Sequence, residues 1–300
     1  MKNFIVNGKV AVITGAAGGI GKAVAKELHS QGAIIIATDL SQSLLDDLVI
    51  ELGAERVMGI ALDVTSVDNL MQVREKVHST FGHIDFIFAN AGIACDPPTT
   101  IAKMNVNIFE KVIEVDLLGV TRTVKAFLPD ILASHGHILV TSSIYAYCNG
   151  VLNAPYAAAK AGVEAYTRAL RSELAGTGAS AGVLYPGWVA TPFSKSAFGG
   201  DELASQLRAR FFKGPLGKAV SPESIANAVA KGIVKRKARI HAPKRWAPFS
   251  ILRGLMCAIS DYWLDKDTLA HRVIKKIEGR SIASNKERPL RKVNFNERRK

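Results

Sequence analysis

The sequence predicts a doubly wound α/β fold: a seven-stranded parallel sheet with helices on both faces. Three observations carry this. Short runs rich in Val, Ile or Phe alternate with segments of helical periodicity from residue 10 to about 242, the signature of a βαβ series. Seven such runs, at 10–14, 33–38, 57–62, 84–89, 137–141, 182–185 and 239–241, are short enough to be strands. Finally, a glycine-rich turn joins the first run directly to the first helical segment, and no internal repeat competes with this reading.

The elements follow in order. The apolar stretch at 4–6, interrupted by Asn7 to Lys9, leads into the first strand and the glycine turn, so it reads as structure rather than a cleaved leader. The segment 20–31 is helical by period and stops at Gly32. Ser41 stands where a helix N-cap is expected, as do Thr65 or Ser66, with Asp68 three residues after Thr65 in the sense of a capping box. Ser221-Pro222-Glu223 reads as a cap, a first-turn proline and an acid facing the helix dipole.

The first turn reads Thr14-Gly15-Ala16-Ala17-Gly18-Gly19-Ile20-Gly21. At a strand-to-helix turn, glycines let a diphosphate approach backbone N–H groups and the helix N-terminus. Asp39 ends the second strand, 18 residues beyond Gly21, where an acid can accept hydrogen bonds from adenosine ribose hydroxyls. The spacing Gly-x-x-x-Gly-x-Gly after a threonine resembles the fingerprint of the short-chain dehydrogenase/reductase family, which implies a Rossmann-like domain over residues 1–245. NADP-preferring members of the family carry an Arg or Lys beside the acid or just before the second glycine. Those places hold Leu40 and Gly18 here, which points to NAD over NADP. By the same resemblance, Gly15, Ala17, Gly18, Gly19, Ile20 and Gly21 form the cofactor turn, Asp63-Val64 lies against the adenine, and Asn90-Ala91-Gly92 supports the sheet beside the cofactor. Asp63 can equally cap the helix that follows.

Tyr156-Ala157-Ala158-Ala159-Lys160 places Tyr and Lys on one helix face at i, i+4. There an ammonium, with a positively charged nicotinamide, favours the phenolate and brings its pKa toward working pH. The pattern resembles the family's Tyr-x-x-x-Lys motif, and Ser143 stands at the family's serine spacing, 13 residues earlier. The resemblance implies that Tyr156 transfers the alcohol proton, Ser143 orients the carbonyl, and Lys160 also holds the nicotinamide ribose. Pro186-Gly187-Trp188-Val189-Ala190-Thr191 is similar to the stretch whose backbone at Val189 and hydroxyl at Thr191 hold the nicotinamide side. One position departs: the family's fourth catalytic residue, an asparagine in Val-Asn-x-x-Gly, is aspartate in Val115-Asp116-Leu117-Leu118-Gly119. That asparagine helps hold a water linking the lysine to solvent. Asp116 keeps a backbone carbonyl but lacks the amide donors, which puts the proton relay in doubt.

Composition narrows the partners. Of the net charge of +13, residues 1–230 contribute 19 Lys and Arg against 20 Asp and Glu, whereas residues 231–300 contribute 20 against 6. The basic charge therefore belongs to a C-terminal extension, residues 246–300. In it Ile251, Leu252, Leu255, Met256, Ile259, Tyr262 and Trp263 recur at helical spacing, broken by charge, so the segment is not a membrane span. It reads as a helix docked on the body or a neighbouring subunit, or as an interfacial helix on an anionic membrane, followed by a mobile polar tail from about 284. No nucleic-acid reading module accompanies the charge. Cys95, Cys148 and Cys257 lie far from any metal-ligand spacing and read as reduced cytoplasmic thiols, with no metal site. Phe193, Phe198, Phe211 and Phe212, with Tyr145, Tyr147 and Trp188, predict an apolar alcohol or ketone substrate, lipid-like or steroid-like. Family members commonly form homodimers or homotetramers. The rival reading is a catalytically silent dinucleotide-binding protein that senses redox state or recruits partners.

Overall fold

The computed structural model describes residues 3–194 and 201–284. Strands β1 (Val10–Thr14), β2 (Ile34–Asp39), β3 (Val57–Ala61), β4 (Phe86–Ala89), β5 (His137–Thr141), β6 (Ser180–Pro186) and β7 (Arg239–Ala242) form one sheet in the order β3-β2-β1-β4-β5-β6-β7. All six pairings are parallel. Strand ends differ from the sequence reading by at most two residues. The order reverses between β1 and β4, so the chain leaves the two strands in opposite directions and opens a crevice at their carboxyl ends.

The α-helices among the described residues are α1 (Gly19–Ser30), α2 (Gln42–Leu52), α3 (Val67–Phe81), α4 (Val106–Ile113), α5 (Val120–Ala133), α6 (Ala154–Glu173), α7 (Pro192–Ser194, a single turn), α8 (Glu202–Phe211), α9 (Pro222–Val234), α10 (Ala247–Ile251), α11 (Arg253–Lys266) and α12 (Thr268–Ser284). Alternate strand residues feed two cores, as the period of two requires. Ala11, Ile13, Phe86 and Phe88 face α1, α2 and α9, while Val10, Val12, Ile87 and Ile138 face α3, α5 and α6. Ser41, Ser66 and Ser221 each accept a hydrogen bond from the third residue on, namely Leu44, Asn69 and Ser224. The cap of α3 is thus Ser66, and Asp68 lies in the first turn without closing the capping box expected from Thr65.

A wide π-helical turn, Glu114–Gly119, joins α4 and α5 into one continuous rod. It rotates the helix face so that Asp116 is fully buried, the kind of irregularity that recurs at functional sites.

The extension packs onto the body through residues that its apolar stripe did not single out. Trp246 is buried, and its indole fills the space beside Gly187, where a Cβ would come within 2.4 Å of Nε1. Arg253 donates to both carboxylate oxygens of buried Glu164 on α6, at 2.9 and 3.0 Å. Ala270 and Ile277 of α12 are buried in one cluster with Leu203, Ala204 and Leu207 of α8, beside an Arg210–Asp267 ion pair. The stripe itself faces outward: Ile251, Leu252, Leu255, Ile259, Tyr262 and Trp263 are exposed, while Met256 is half-buried. Among the described residues no helix is long and apolar enough to cross a membrane. The polar tail beyond 284 lies outside the described residues.

Candidate active site

One cavity of about 710 Å³ opens at the carboxyl ends of the strands, over the point where the sheet order reverses. Of the residues the sequence nominated, Gly15, Gly18, Gly19, Ile20, Asp39, Leu40, Asp63, Val64, Asn90, Ala91 and Gly92 line it. So do Asp116, Ser143, Tyr156, Lys160, Pro186, Gly187, Val189 and Thr191. Ala17 and Gly21 do not reach it. The Ala17 N–H instead holds Asp39 Oδ2 at 3.1 Å, and Gly21 packs under the turn, where a Cβ would sit 2.0 Å from the Gly15 carbonyl oxygen.

The glycine end has the chemistry of an anion cradle. Gly18 is the N-cap of α1, has no side chain to cap the helix, and leaves open space where a Cβ would be; no acid stands in the first turn. The first N–H groups of α1 are thus left without a capping side chain, where a diphosphate is favoured. Asp39 is oriented by Ala17 N–H and by its own neighbour, Leu40 N–H, which reaches Oδ1 at 2.8 Å. Asp63 lines the cavity and also accepts from the Thr65 N–H and hydroxyl, at 2.8 and 2.7 Å. Asn90 stitches the strand ends together. Its Nδ2 donates to Thr14 O at 3.2 Å, and its Oδ1 accepts from the Thr141 hydroxyl at 3.1 Å. These features fit a nicotinamide dinucleotide lying across the sheet.

At the opposite end α6 carries Tyr156 and Lys160. Lys160 Nζ is buried, lies 3.1 Å from Asp116 Oδ2, donates to Thr141 O at 3.2 Å, and sits 5.3 Å from the centre of the Tyr156 ring. Asp116 Oδ1 accepts from Ile93 N–H at 2.7 Å. Gly92 makes room for this carboxylate, since a Cβ there would come 2.9 Å from Oδ2. Burial pushes the Asp116 carboxyl up, against the pull of Lys160 and the Ile93 N–H. Burial works to lower the Lys160 pKa, but Asp116 and Tyr156 outweigh it and hold the ammonium above its ordinary value.

Several groups act on the Tyr156 phenol. Burial first, and then the Asp116 carboxylate, raise its phenol pKa, while Lys160 and a hydrogen bond with Ser143 oppose the rise. The lysine charge still favours the phenolate, but burial outweighs it and the neighbouring Asp116 carboxylate opposes it.

The aromatic expectations divide. Tyr145, Trp188 and Phe193 line the cavity, with Tyr145 and Phe193 at 6.0 and 5.7 Å from the Tyr156 ring. Tyr147 packs away from it on Tyr185, and Phe211 and Phe212 pack in the cluster behind, Phe212 meeting Trp188 edge-on at 5.2 Å. Phe198 lies outside the described residues. The sequence reading missed Asn153, which is buried on the cavity wall. Its position before Ala-Pro reads as an ordinary helix cap, and only the structure shows that its side chain makes no capping hydrogen bond.

Comparison with known proteins follows this geometry. A family model described as short chain dehydrogenase matches residues 9–201. The chain is 34% identical over 224 residues to the 3-oxoacyl-acyl-carrier-protein reductase FabG of Escherichia coli, covering 74% of this chain and 88% of that protein. Among solved structures, a short chain dehydrogenase/reductase from Burkholderia phymatum in complex with NAD superposes with a TM-score of 0.74 at 24% identity. That match covers 85% of this chain and 96% of the other. An alcohol dehydrogenase from Thermococcus sibiricus complexed with 5-hydroxy-NADP gives a TM-score of 0.66 at 30% identity, covering 78% and 95%.

Proposed function

Because the chain belongs to the short-chain dehydrogenase family of NAD(P)-dependent oxidoreductases, we propose that it interconverts a secondary alcohol and a ketone on an apolar substrate, with NAD(H) as cofactor. The convergence of Ser143, Tyr156 and Lys160 on the cavity that also holds the uncapped α1 N-terminus carries this reading. The bound dinucleotide supplies or accepts the hydride. Gly18, Gly19 and the first α1 N–H groups hold its diphosphate, Asp39 its adenosine ribose, and Lys160, Val189 and Thr191 its nicotinamide half. Ser143 hydrogen-bonds the substrate oxygen, and the Tyr156 hydroxyl gives a proton to that oxygen or takes one from it. Ile93, Ile144 and the aromatic wall of Tyr145, Trp188 and Phe193 keep water from the substrate's carbon skeleton. A panel of apolar alcohols and ketones, followed by NADH absorbance, tests the reading. Turnover of at least one member is expected, and tight NADH binding with none would favour the silent-binder alternative.

The preference for NAD rests on Asp39, whose carboxylate is fixed at the cavity by two backbone N–H groups. A 2′-phosphate placed there meets a like charge, worth roughly 1–4 kcal/mol near a surface. Asp39→Ser combined with Leu40→Arg is therefore expected to shift the ratio of kcat/KM toward NADPH by at least about tenfold. An unchanged ratio in steady-state assays with both cofactors would remove Asp39 from this role.

The exposed apolar face of α10 and α11 supports peripheral association with an anionic lipid surface. Trp263 and Tyr262 are more than half exposed, and the Lys266 ammonium caps the Tyr262 ring at 4.0 Å. Asp261 and Asp265 balance Arg253 and Lys266 along α11, so the electrostatic attraction comes from the exposed Arg272, Lys275 and Lys276 of α12 and from the basic sequence after it. Cosedimentation with vesicles containing phosphatidylserine is expected, and it should fall when Leu255, Ile259 and Trp263 are replaced together by Ser. Equal sedimentation of the two proteins would exclude this surface.

A further inference from the structure

Asn153 stands at the N-cap of α6, where an asparagine side chain ordinarily accepts a hydrogen bond from an N–H of the first turn. Its amide makes no such bond. The residue is 2% exposed, its Oδ1 is buried without a hydrogen-bond partner, and it lines the cavity three residues before Tyr156. The chain is held in this arrangement by its surroundings. Leu152 has φ +66°, a left-handed conformation that a side chain disfavours. The Thr99 N–H donates to Leu152 O at 3.2 Å, and the Asn153 N–H donates to Gly150 O at 2.8 Å. A buried amide oxygen without a partner and a strained residue before it both oppose folding, and such costs collect where a ligand uses them.

We propose that Asn153 is a substrate-recognition residue whose amide oxygen accepts a hydrogen bond from a second polar group, a hydroxyl or N–H, carried by the substrate near the reacting carbon. This rests on the alcohol–ketone reading and narrows its substrate class. Ser143 and Tyr156 serve the reacting oxygen. Tyr145, Trp188 and Phe193 present an aromatic wall to the rest of the molecule, and Asn153 is the polar point set in it. A substrate lacking the second donor leaves the amide unsatisfied, and discrimination of this kind is steep because the site's own group remains desolvated.

The experiment compares 2-hydroxycyclohexanone with cyclohexanone as substrates for the full chain and for Asn153→Leu, which keeps the bulk and removes the amide. The wild type is expected to favour the hydroxyketone by about tenfold or more in kcat/KM. Asn153→Leu should bring that ratio near one, through KM for the hydroxyketone with kcat nearly unchanged, and should melt at the same or a higher temperature. A ratio that is unchanged by the substitution, or near one in the wild type, overturns the assignment. If Asn153→Leu does not fold, Asn153→Ala is read in the same way. Titration of the NADH complex with each ketone, by cofactor fluorescence, separates the two proposals. Preferential binding of the hydroxyketone that Asn153→Leu abolishes, without turnover of either compound, supports recognition by Asn153 while refuting the alcohol–ketone reading.

Discussion

Replacing Tyr156 by Phe is expected to lower turnover by about 10²–10⁴-fold, the usual contribution of a positioned general acid–base group, while leaving NADH binding intact. The phenol ring lies between Tyr145, 6.0 Å away edge-on, and Phe193 at 5.7 Å, so the ring contacts survive the loss of the hydroxyl. What disappears is the proton donor or acceptor beside Ser143. Steady-state rates measured with NADH absorbance, alongside NADH affinity by fluorescence, check both halves. Turnover within a factor of a few of the wild type would show that Tyr156 does not move the proton.

The second large effect concerns the buried Lys160–Asp116 pair, 2% and 0% exposed. Removing one partner of a buried ion pair strands the other charge, at a cost of about 3–5 kcal/mol. Lys160→Met should therefore lower the midpoint of urea unfolding strongly, and Asp116→Asn added to it should restore most of the loss. Separate from stability is the pH dependence of catalysis. The Asp116 carboxylate raises the Tyr156 pKa after burial has done so, and removing that negative charge makes the phenolate less costly. In Asp116→Asn the pKa of Tyr156 therefore falls. Alcohol oxidation uses the phenolate, so its rate should rise at lower pH than in the wild type. Ketone reduction uses the phenol, so its rate should decline at correspondingly lower pH. Coincident pH profiles for the two proteins would mean that Asp116 does not act on the phenol.

The local signals were legible because they are properties of neighbouring residues. Apolar runs mark most of the strands, since a strand buried on both faces admits little else, while β7 at the sheet edge carries Arg239 and His241 and is the least apolar of them. Ser41 and Ser221 cap helices because their hydroxyls reach the N–H three residues on, a distance set by helix geometry. Tyr156 and Lys160 share a face for the same reason. Thr65 was a poorer guide than Ser66, because adjacent hydroxyl residues offer competing caps and the Thr65 hydroxyl is taken by Asp63.

The sequence by itself determined the alternation of strands and helices, the glycine turn with Asp39 beyond it, and the spacing of Ser143, Tyr156 and Lys160. Each of these depends on backbone period or short-range sterics. The tertiary structure alone decided how the residues act on one another across the fold. It brought the Asp116 carboxylate from a π-helical turn to Lys160, and so set the Tyr156 phenol against a charge that the Tyr–Lys spacing could not reveal. It left the Asn153 amide oxygen without a partner on the cavity wall, and it seated Trp246 against Gly187. The physical reason is common to all three. Desolvation and electrostatic coupling depend on which distant segments exclude water together, and that is fixed only when the chain has packed.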